Sequence, residues 1–450
     1  MQWTGLLGVV VLLGLGWMLS ENRRAFPVRM VLGGVALQAG LALVLIKFPP
    51  VVAVFQFLAE GVAHIIGLAD EGIAFLFGRA LLDPAGPWGF IFAVKVLPVI
   101  IYFAALMGVL YHIGVMPRVV AALAWLLRRS LGVSGPEALA MAANVFVGQT
   151  EAPLCIKPYL DRMSRAGLMT LMVGGFATIA GSVLAGYVNF LAPMPAPAAA
   201  DAVEAVRLAA EAARDAARAE QAVWIRYLLT ASVMSAPAAF VMARVMVPEV
   251  SRDRDAAPAE AAEISRAANL LDAASRGATD GLHLALNVGA MLIAFVALLA
   301  LVNWPLEALG GWGPVAAVLE SQGIETLNLQ SILGFVFAPL AWCMGIPWAD
   351  AGFIGRLMGE KLIVTEFLAY VSLADAVNSP AGSPIAERSA AIAAFALCGF
   401  ANFGSVGIQI GGLSSLAPAR RGEFVSLAFR AMIGGAFASW MTAAVAGLFL

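Results

Sequence analysis

Two carboxylates stand where an apolar chain has little reason to keep them. Glu151 lies in Gly148-Gln149-Thr150-Glu151-Ala152-Pro153 and Glu366 in Val364-Thr365-Glu366, each a polar point between short apolar stretches. An ionisable side chain at the centre of a bilayer costs about 2.5–3.5 kcal/mol on insertion scales, so one that is retained there is a functional candidate. Gln149, Thr178, Asn402 and Ser405 add neutral donors and acceptors. Amides and hydroxyls beside carboxylates suit an uncharged, hydroxyl-rich solute. No Arg or Lys accompanies them at the tips, so a phosphate or dicarboxylate would be poorly served. Phe400 and Phe403 flank Asn402, where a ring can stack on a flat group or simply pack.

Such residues need an apolar scaffold to hold them at depth. The chain of 450 residues is 61% hydrophobic and 12% charged, against roughly half apolar and a quarter charged in a soluble domain. Its net charge of −2 is spread between apolar runs, which excludes nucleic acid as a partner. Cys155, Cys343 and Cys398 lie in apolar surroundings without C-x-x-C spacing and read as packing residues.

A helix needs about 18–25 apolar residues to cross the hydrocarbon core. The runs 2–20, 28–48, 90–115, 167–191, 223–247, 280–303, 389–412 and 424–450 qualify. They predict an all-α polytopic membrane protein of about eight transmembrane helices. The first run lacks a basic n-region and a cleavage site, and Arg23 and Arg24 follow it, so it reads as a retained span. In 49–78 the apolar pattern is interrupted by Glu60, His64, Asp70 and Glu71, which predicts an interfacial helix that does not cross. The positive-inside bias, carried by Arg23, Arg24, Arg29, Arg118, Arg128, Arg129, Arg420 and Arg421, places the N- and C-termini outside. The loop 304–328 and the Ala-rich, solvated segment 193–222 then fall outside as well, and 248–279 is a cytoplasmic loop.

Two stretches have the wrong length for a span. Residues 135–163 and 348–376 each read as two short helices around a polar tip, which predicts re-entrant hairpins facing a protein-lined cavity. An internal repeat links them. After the first tip come Gly175-Phe176-Ala177-Thr178 and Gly181-Ser182-Val183; after the second come Gly399-Phe400-Ala401-Asn402 and Gly404-Ser405-Val406. Both units read as span, amphipathic piece, hairpin, interrupted span, span. Three crossings separate their starts, so the repeat is inverted, the usual build of a secondary transporter with a midplane site. The expected organisation is 1–89 for the N-terminal helices, 90–247 for the first unit, 248–279 for the loop and 280–450 for the second unit.

The strings Gly148-Gln149-Thr150-Glu151-Ala152-Pro153-Leu154, Gly174-Gly175-Phe176-Ala177-Thr178-Ile179-Ala180-Gly181-Ser182-Val183, Thr365-Glu366-Phe367 and Cys398-Gly399-Phe400-Ala401-Asn402-Phe403-Gly404-Ser405-Val406-Gly407-Ile408-Gln409 resemble the concentrative nucleoside transporters. The resemblance implies a bacterial inner-membrane homotrimer that couples nucleoside uptake to a cation gradient, with hairpins and spans four and seven moving past a scaffold. It implies that Gln149, Thr150 and Glu151 address the base. Glu366, Asn402 and Ser405 would bind the ribose hydroxyls, and Val183 and Phe400 would form apolar walls. A sodium site would comprise the Asn144 side chain, the Val147 carbonyl, the Thr178 hydroxyl and the Ile179 carbonyl, an oxygen set suited to a hard cation; some relatives use protons instead. No organic cofactor is implied. The 196–222 segment looks longer than the family's usual outer connection. Two other readings remain open: a carrier of another neutral polar solute, and an intramembrane serine protease using Ser134 of Gly132-Val133-Ser134-Gly135 with His283 as base.

Overall fold

The computed structural model describes residues 3–82, 91–195, 204–249, 267–321, 326–379 and 381–450, and the regular structure among them is helical. Helices α1 (Thr4–Met18), α2 (Val28–Ala42), α3 (Pro49–Gly67) and α4 (Ala69–Phe77) precede the first unit. That unit holds α5 (Leu97–His112), α6 (Val115–Leu131), α7 (Gly135–Asn144), a 3₁₀ arm (Ala152–Arg162), α8 (Arg165–Ala177), α9 (Gly181–Leu191) and α10 (Glu204–Met246). The second holds α11 (Leu270–Gly310), α12 (Gly313–Ser321), α13 (Leu329–Cys343), α14 (Trp348–Ile363), α15 (Glu366–Val377), α16 (Glu387–Leu397), α17 (Phe403–Leu416) and α18 (Arg421–Gly447). Apart from α12, the elements of the second unit follow the order of the first.

Burial sorts the apolar helices into two sets. In Arg165–Leu191 and Glu204–Met246, 94% and 89% of the apolar window is buried, against 17% in Leu270–Gly310 and in Pro49–Phe77. A helix that is apolar all round yet so exposed has lipid, or another apolar surface, as its surroundings. The core therefore lies around α8, α9, α10, α16 and α18, and α11 stands at its edge.

Helix α11 meets the rest mainly through α5, at a seam of small residues. A Cβ on Gly277 would stand 2.5 Å from the Ala104 carbonyl oxygen, and one on Gly281 would stand 2.7 Å from Ala104 Cβ. Small residues let membrane helices approach this closely. Gly277→Val should force the pair apart and destabilise the fold by about 1–3 kcal/mol, read as a lower melting temperature of the purified protein.

Several expectations change in detail. Span 2–20 is a helix of 15 residues, Thr4–Met18, short of a full crossing. The predicted interfacial helix at 49–78 is a pair, α3 and α4, whose 29-residue run is long and apolar enough to cross. Asp70 turns inward to Lys95, at 3.2 Å, while Glu60 and Glu71 stay exposed. The buried stripe of α3, Ala59, Ala63 and Ile66, is narrow. Span 280–303 extends to Leu270–Gly310, so the inner and outer loops drawn at 248–279 and 304–328 are partly helix. Residues 250–266 and 322–325 of those loops lie outside the described residues. Segment 193–222 is in large part the exposed first half of α10, and 196–203 lie outside the described residues. Among the described residues, seven helices are long and apolar enough to cross, or up to eight with the bent pair α13–α14 counted as one.

Ion pairs join the segment after α1 to the start of α8 and to α18. Arg165 holds Glu21 with two bonds of 2.7 and 3.1 Å, and Arg430 joins it. The Arg165 guanidinium, then Arg430, hold the Glu21 carboxyl below its ordinary value.

Candidate functional site

The first hairpin begins at Ser134, which caps α7 in a capping box with Glu137. Its hydroxyl donates to Glu137 Oε2 at 2.8 Å, so Ser134 is a helix cap and not a nucleophile paired with His283. Helix α7 ends at Asn144. The return arm, expected as a second α-helix, is 3₁₀ from Ala152 to Arg162. Pro158 lies inside it, and a proline cannot donate the i→i−4 bond that an α-helix needs. Arg420 binds the arm's last carbonyls, Leu160 O at 2.9 Å and Met163 O at 2.8 Å. Glu137 pairs with Arg244 of α10, so both ends of the hairpin are tied down.

The second hairpin turns at Val364 and Thr365. The Thr365 hydroxyl caps α15 by accepting from the Leu368 N–H at 3.3 Å. Glu366 is thereby placed in the first turn of α15, at the positive end of its dipole. Its carboxylate is 3% exposed and both oxygens are used. Oε1 accepts from the Tyr187 hydroxyl at 3.1 Å, and Oε2 accepts from Asn402 Nδ2 at 2.6 Å. Tyr187 is locked by stacking on Tyr370, with ring centroids 4.1 Å apart.

Both interrupted spans are broken. The first opens at Thr178–Ala180 between α8 and α9, and the second at Cys398–Asn402 between α16 and α17. The two breaks meet. Gly399 has φ +120°, and a Cβ there would lie 2.6 Å from the Phe176 carbonyl oxygen, so only glycine suits this crossing. Asn402 starts α17 as its N-cap, its Oδ1 accepting from the Ser405 N–H at 2.8 Å. Seven residues further on, Gln409 Nε2 reaches Gln149 Oε1 of the first tip at 3.4 Å and the Met172 carbonyl at 3.0 Å. At Gly412 a Cβ would stand 3.1 Å from Thr150 Cγ2. One half-helix thus carries the second tip's partner at its start and the first tip's partners two and more turns on. By helix rise, Asn402 and Gln409 lie about 10 Å apart on one face.

The candidate residues therefore form two groups joined by α17. Glu366, Asn402 and the Ser405 backbone make one, with Val183 buried on α9 one turn before Tyr187. Gln149 and Thr150 make the other. Glu151 is exposed, accepts from the Thr150 hydroxyl at 3.2 Å and interacts electrostatically with Asp280 of α11; no hydrogen bond or ion pair joins it to Glu366 among the described residues. Phe400 is half-buried within the second break. Tyr187 and Gln409 escaped the sequence reading. Each is a polar tip in a largely apolar helix, four residues after Val183 and seven after Asn402, and that helical spacing was the available signal.

Asn144 is 1% exposed, and neither its Nδ2 nor its Oδ1 has a hydrogen-bond partner among the described residues. Its amide lies against Gly174, where a Cβ would come within 3.3 Å of Nδ2. The Thr178 hydroxyl donates to the Gly174 carbonyl at 2.9 Å, leaving its own lone pairs available. The Phe146 carbonyl accepts from the Gly181 N–H at 2.9 Å, which holds the turn bearing Val147 beside the break bearing Ile179. A buried, unpartnered amide next to a hydroxyl and loose carbonyls is a fitting set for a hard cation.

Family profiles match along most of the chain. Residues 7–80 match the Na+ dependent nucleoside transporter N-terminus, 93–194 the profile described as nucleoside recognition, and 227–447 the Na+ dependent nucleoside transporter C-terminus. The chain belongs to the Na+ dependent nucleoside transporter family. Relatives in this family include an uncharacterized transporter of Haemophilus influenzae, 41% identical over 99% of this chain and 97% of its own. The nucleoside permease NupC of Helicobacter pylori is 36% identical over 99% of this chain and 97% of its own. Among solved structures, the transporter CNTnw in an inward-facing, substrate-bound state superposes with a TM-score of 0.84 at 36% identity, covering 100% of this chain and 98% of that one. A variant of CNTnw in an outward-facing state matches with the same score over 97% of its length. This member of the family is a multi-pass transporter, not an enzyme.

Proposed function

We propose that the protein is a sodium-coupled nucleoside symporter that imports nucleosides by alternating access. The observation that carries this reading is α17, which holds the Glu366–Asn402 group and the Gln149–Thr150 group about 10 Å apart along one face, a spacing suited to a pentose joined to a base. Glu366 and Asn402, with Ser405, take the ribose hydroxyls. Gln149, Thr150 and Glu151 take the base, and Val183 and Phe400 wall the site. Sodium binds Asn144 Oδ1, the Val147 carbonyl, the Thr178 hydroxyl and the Ile179 carbonyl. Oxygen donors without a fixed charge favour sodium over a proton as the coupling ion, since the set contains no group that titrates near neutrality.

Sodium binding orders the first hairpin, and the hairpin contributes half of the nucleoside site. Each ligand then tightens the other, by about 1–3 kcal/mol as such couplings run. The two units are inverted with respect to each other, and the hairpins with α8, α9, α16 and α17 move past a scaffold that includes α5 and α11. The protein works as a homotrimer in the bacterial inner membrane, with both termini outside; the lipid-exposed composition of α11 supports an assembly in that plane. The test is uridine uptake into proteoliposomes with an inward sodium gradient, an inward proton gradient, or neither. Sodium alone is expected to drive accumulation. Uptake indifferent to sodium would remove the coupling, and accumulation of a nucleobase or sugar in preference to nucleosides would remove the substrate.

A further inference from the structure

Lys361 is the one lysine with no exposed surface among the described residues, and no role has been given to it so far. It sits two residues before the end of α14, the first arm of the second hairpin. Its ammonium donates to the Ser439 hydroxyl at 2.7 Å, the Ala396 carbonyl at 2.9 Å and the Cys398 carbonyl at 3.3 Å. All three protons are used, and two of the acceptors are carbonyls at the C-terminal end of α16, where the helix dipole is negative and the span breaks.

The first unit has a matching arrangement with the charge left out. Asn144 ends the first arm of its hairpin and lies on Gly174. In the repeated strings Gly174-Gly175-Phe176-Ala177 and Cys398-Gly399-Phe400-Ala401, Gly174 corresponds to Cys398, whose carbonyl binds Lys361. Both first arms therefore send a buried polar side chain to aligned positions of the repeated string, Gly174 in the last turn of α8 and Cys398 just past the end of α16. In one unit that side chain is a neutral amide with no partner among the described residues. In the other it is a cation with every partner satisfied.

We propose that Lys361 is a tethered cation. Its ammonium fills, in the second unit, the place that the coupling cation takes in the first, and it keeps the second hairpin fastened to its broken span throughout the transport cycle. The identity of the first-unit place rests on the sodium site proposed above. Lys361 is a positioning residue: it acts on nucleoside binding through Glu366, five residues along the same hairpin, with which it interacts electrostatically.

The experiment measures uridine affinity of the full-length protein in detergent against sodium concentration, with and without added methylammonium or ethylammonium. The native protein should show a log–log slope of about one sodium and no response to amine. Lys361→Ala should bind uridine at least about tenfold more weakly, since hydrogen bonds to a charged group are lost. Added alkylammonium should restore the affinity, and in its absence the sodium slope should rise towards about two as sodium enters the vacated place. Lys361→Met fills the space without charge and should stay weak with either cation. Uridine affinities of both variants within about threefold of the native protein, or no rescue of Lys361→Ala by amine, would overturn the proposal. A native slope of zero would instead remove the first-unit sodium site, and amine rescue would still score Lys361 by itself. Should Lys361→Ala fold in no buffer, Ser439→Ala decides: it leaves the ammonium but removes one acceptor, and unchanged uridine affinity would overturn the proposal, whereas a several-fold loss supports it.

Discussion

Glu366→Gln is expected to reduce uridine uptake into proteoliposomes by about 100-fold or more while leaving the protein folded. Hydrogen bonds to an ionised acceptor contribute about 1.5–3 kcal/mol each, and two ribose hydroxyls would lose theirs together. The geometry adds a second cost. Both carboxylate oxygens already accept, one from Tyr187 and one from Asn402. An amide must turn an NH₂ towards one of those donors, so the hairpin tip also loses its grip on the broken span. An unchanged melting temperature in the absence of nucleoside would separate lost recognition from lost folding. Near-normal uptake by the variant would take Glu366 out of the binding site.

Asn144→Leu should greatly weaken sodium binding and, unusually for a buried substitution, should not weaken the sodium-free protein. Each polar atom buried without a partner costs about 1–3 kcal/mol, and the native amide buries two. Leucine keeps the branched shape of the amide, extends into the space the cation would take, and removes that penalty. The sodium-free melting temperature of the variant should therefore match or exceed that of the native protein. Sodium should raise the melting temperature of the native protein only, and the sodium concentration for half-maximal uptake should rise at least about tenfold in the variant. A sodium-induced shift that survives in Asn144→Leu would place the cation elsewhere.

The parts of this site that could be read in the sequence are those where chemistry contradicts its surroundings. Glu151 and Glu366 stood out because carboxylates are expensive in an apolar chain, and the paired Gly-Phe-Ala strings marked the breaks before any coordinate did. The capped starts at Ser134, Thr365 and Asn402 follow the ordinary preference of such residues for helix N-caps. What escaped was set by partners distant in the chain. Tyr187 finds Glu366 179 residues away and Gln409 finds Gln149 260 residues away, and helical spacing alone does not name such partners. Lys361 was hidden by its type, since a lysine near a helix end usually reaches water. Asp70 was visible as a charge on a polar side, but its partner was not: Lys95 is 3% exposed and inside the fold. Patterns along one helix report which side is polar, but only tertiary packing determines whether a polar side meets water or another buried charge.

The contact of Gly399 with the Phe176 carbonyl bears on how faithfully the gradient is spent. If the two half-sites could slide past one another, an ion could cross without its passenger, and the gradient would drain as heat. Here the break that carries Asn402 is pressed, backbone to backbone, onto the helix end that leads into Thr178. Displacing one displaces the other. A larger residue at position 399 would wedge the halves apart, and in the proposed symport it would open a leak.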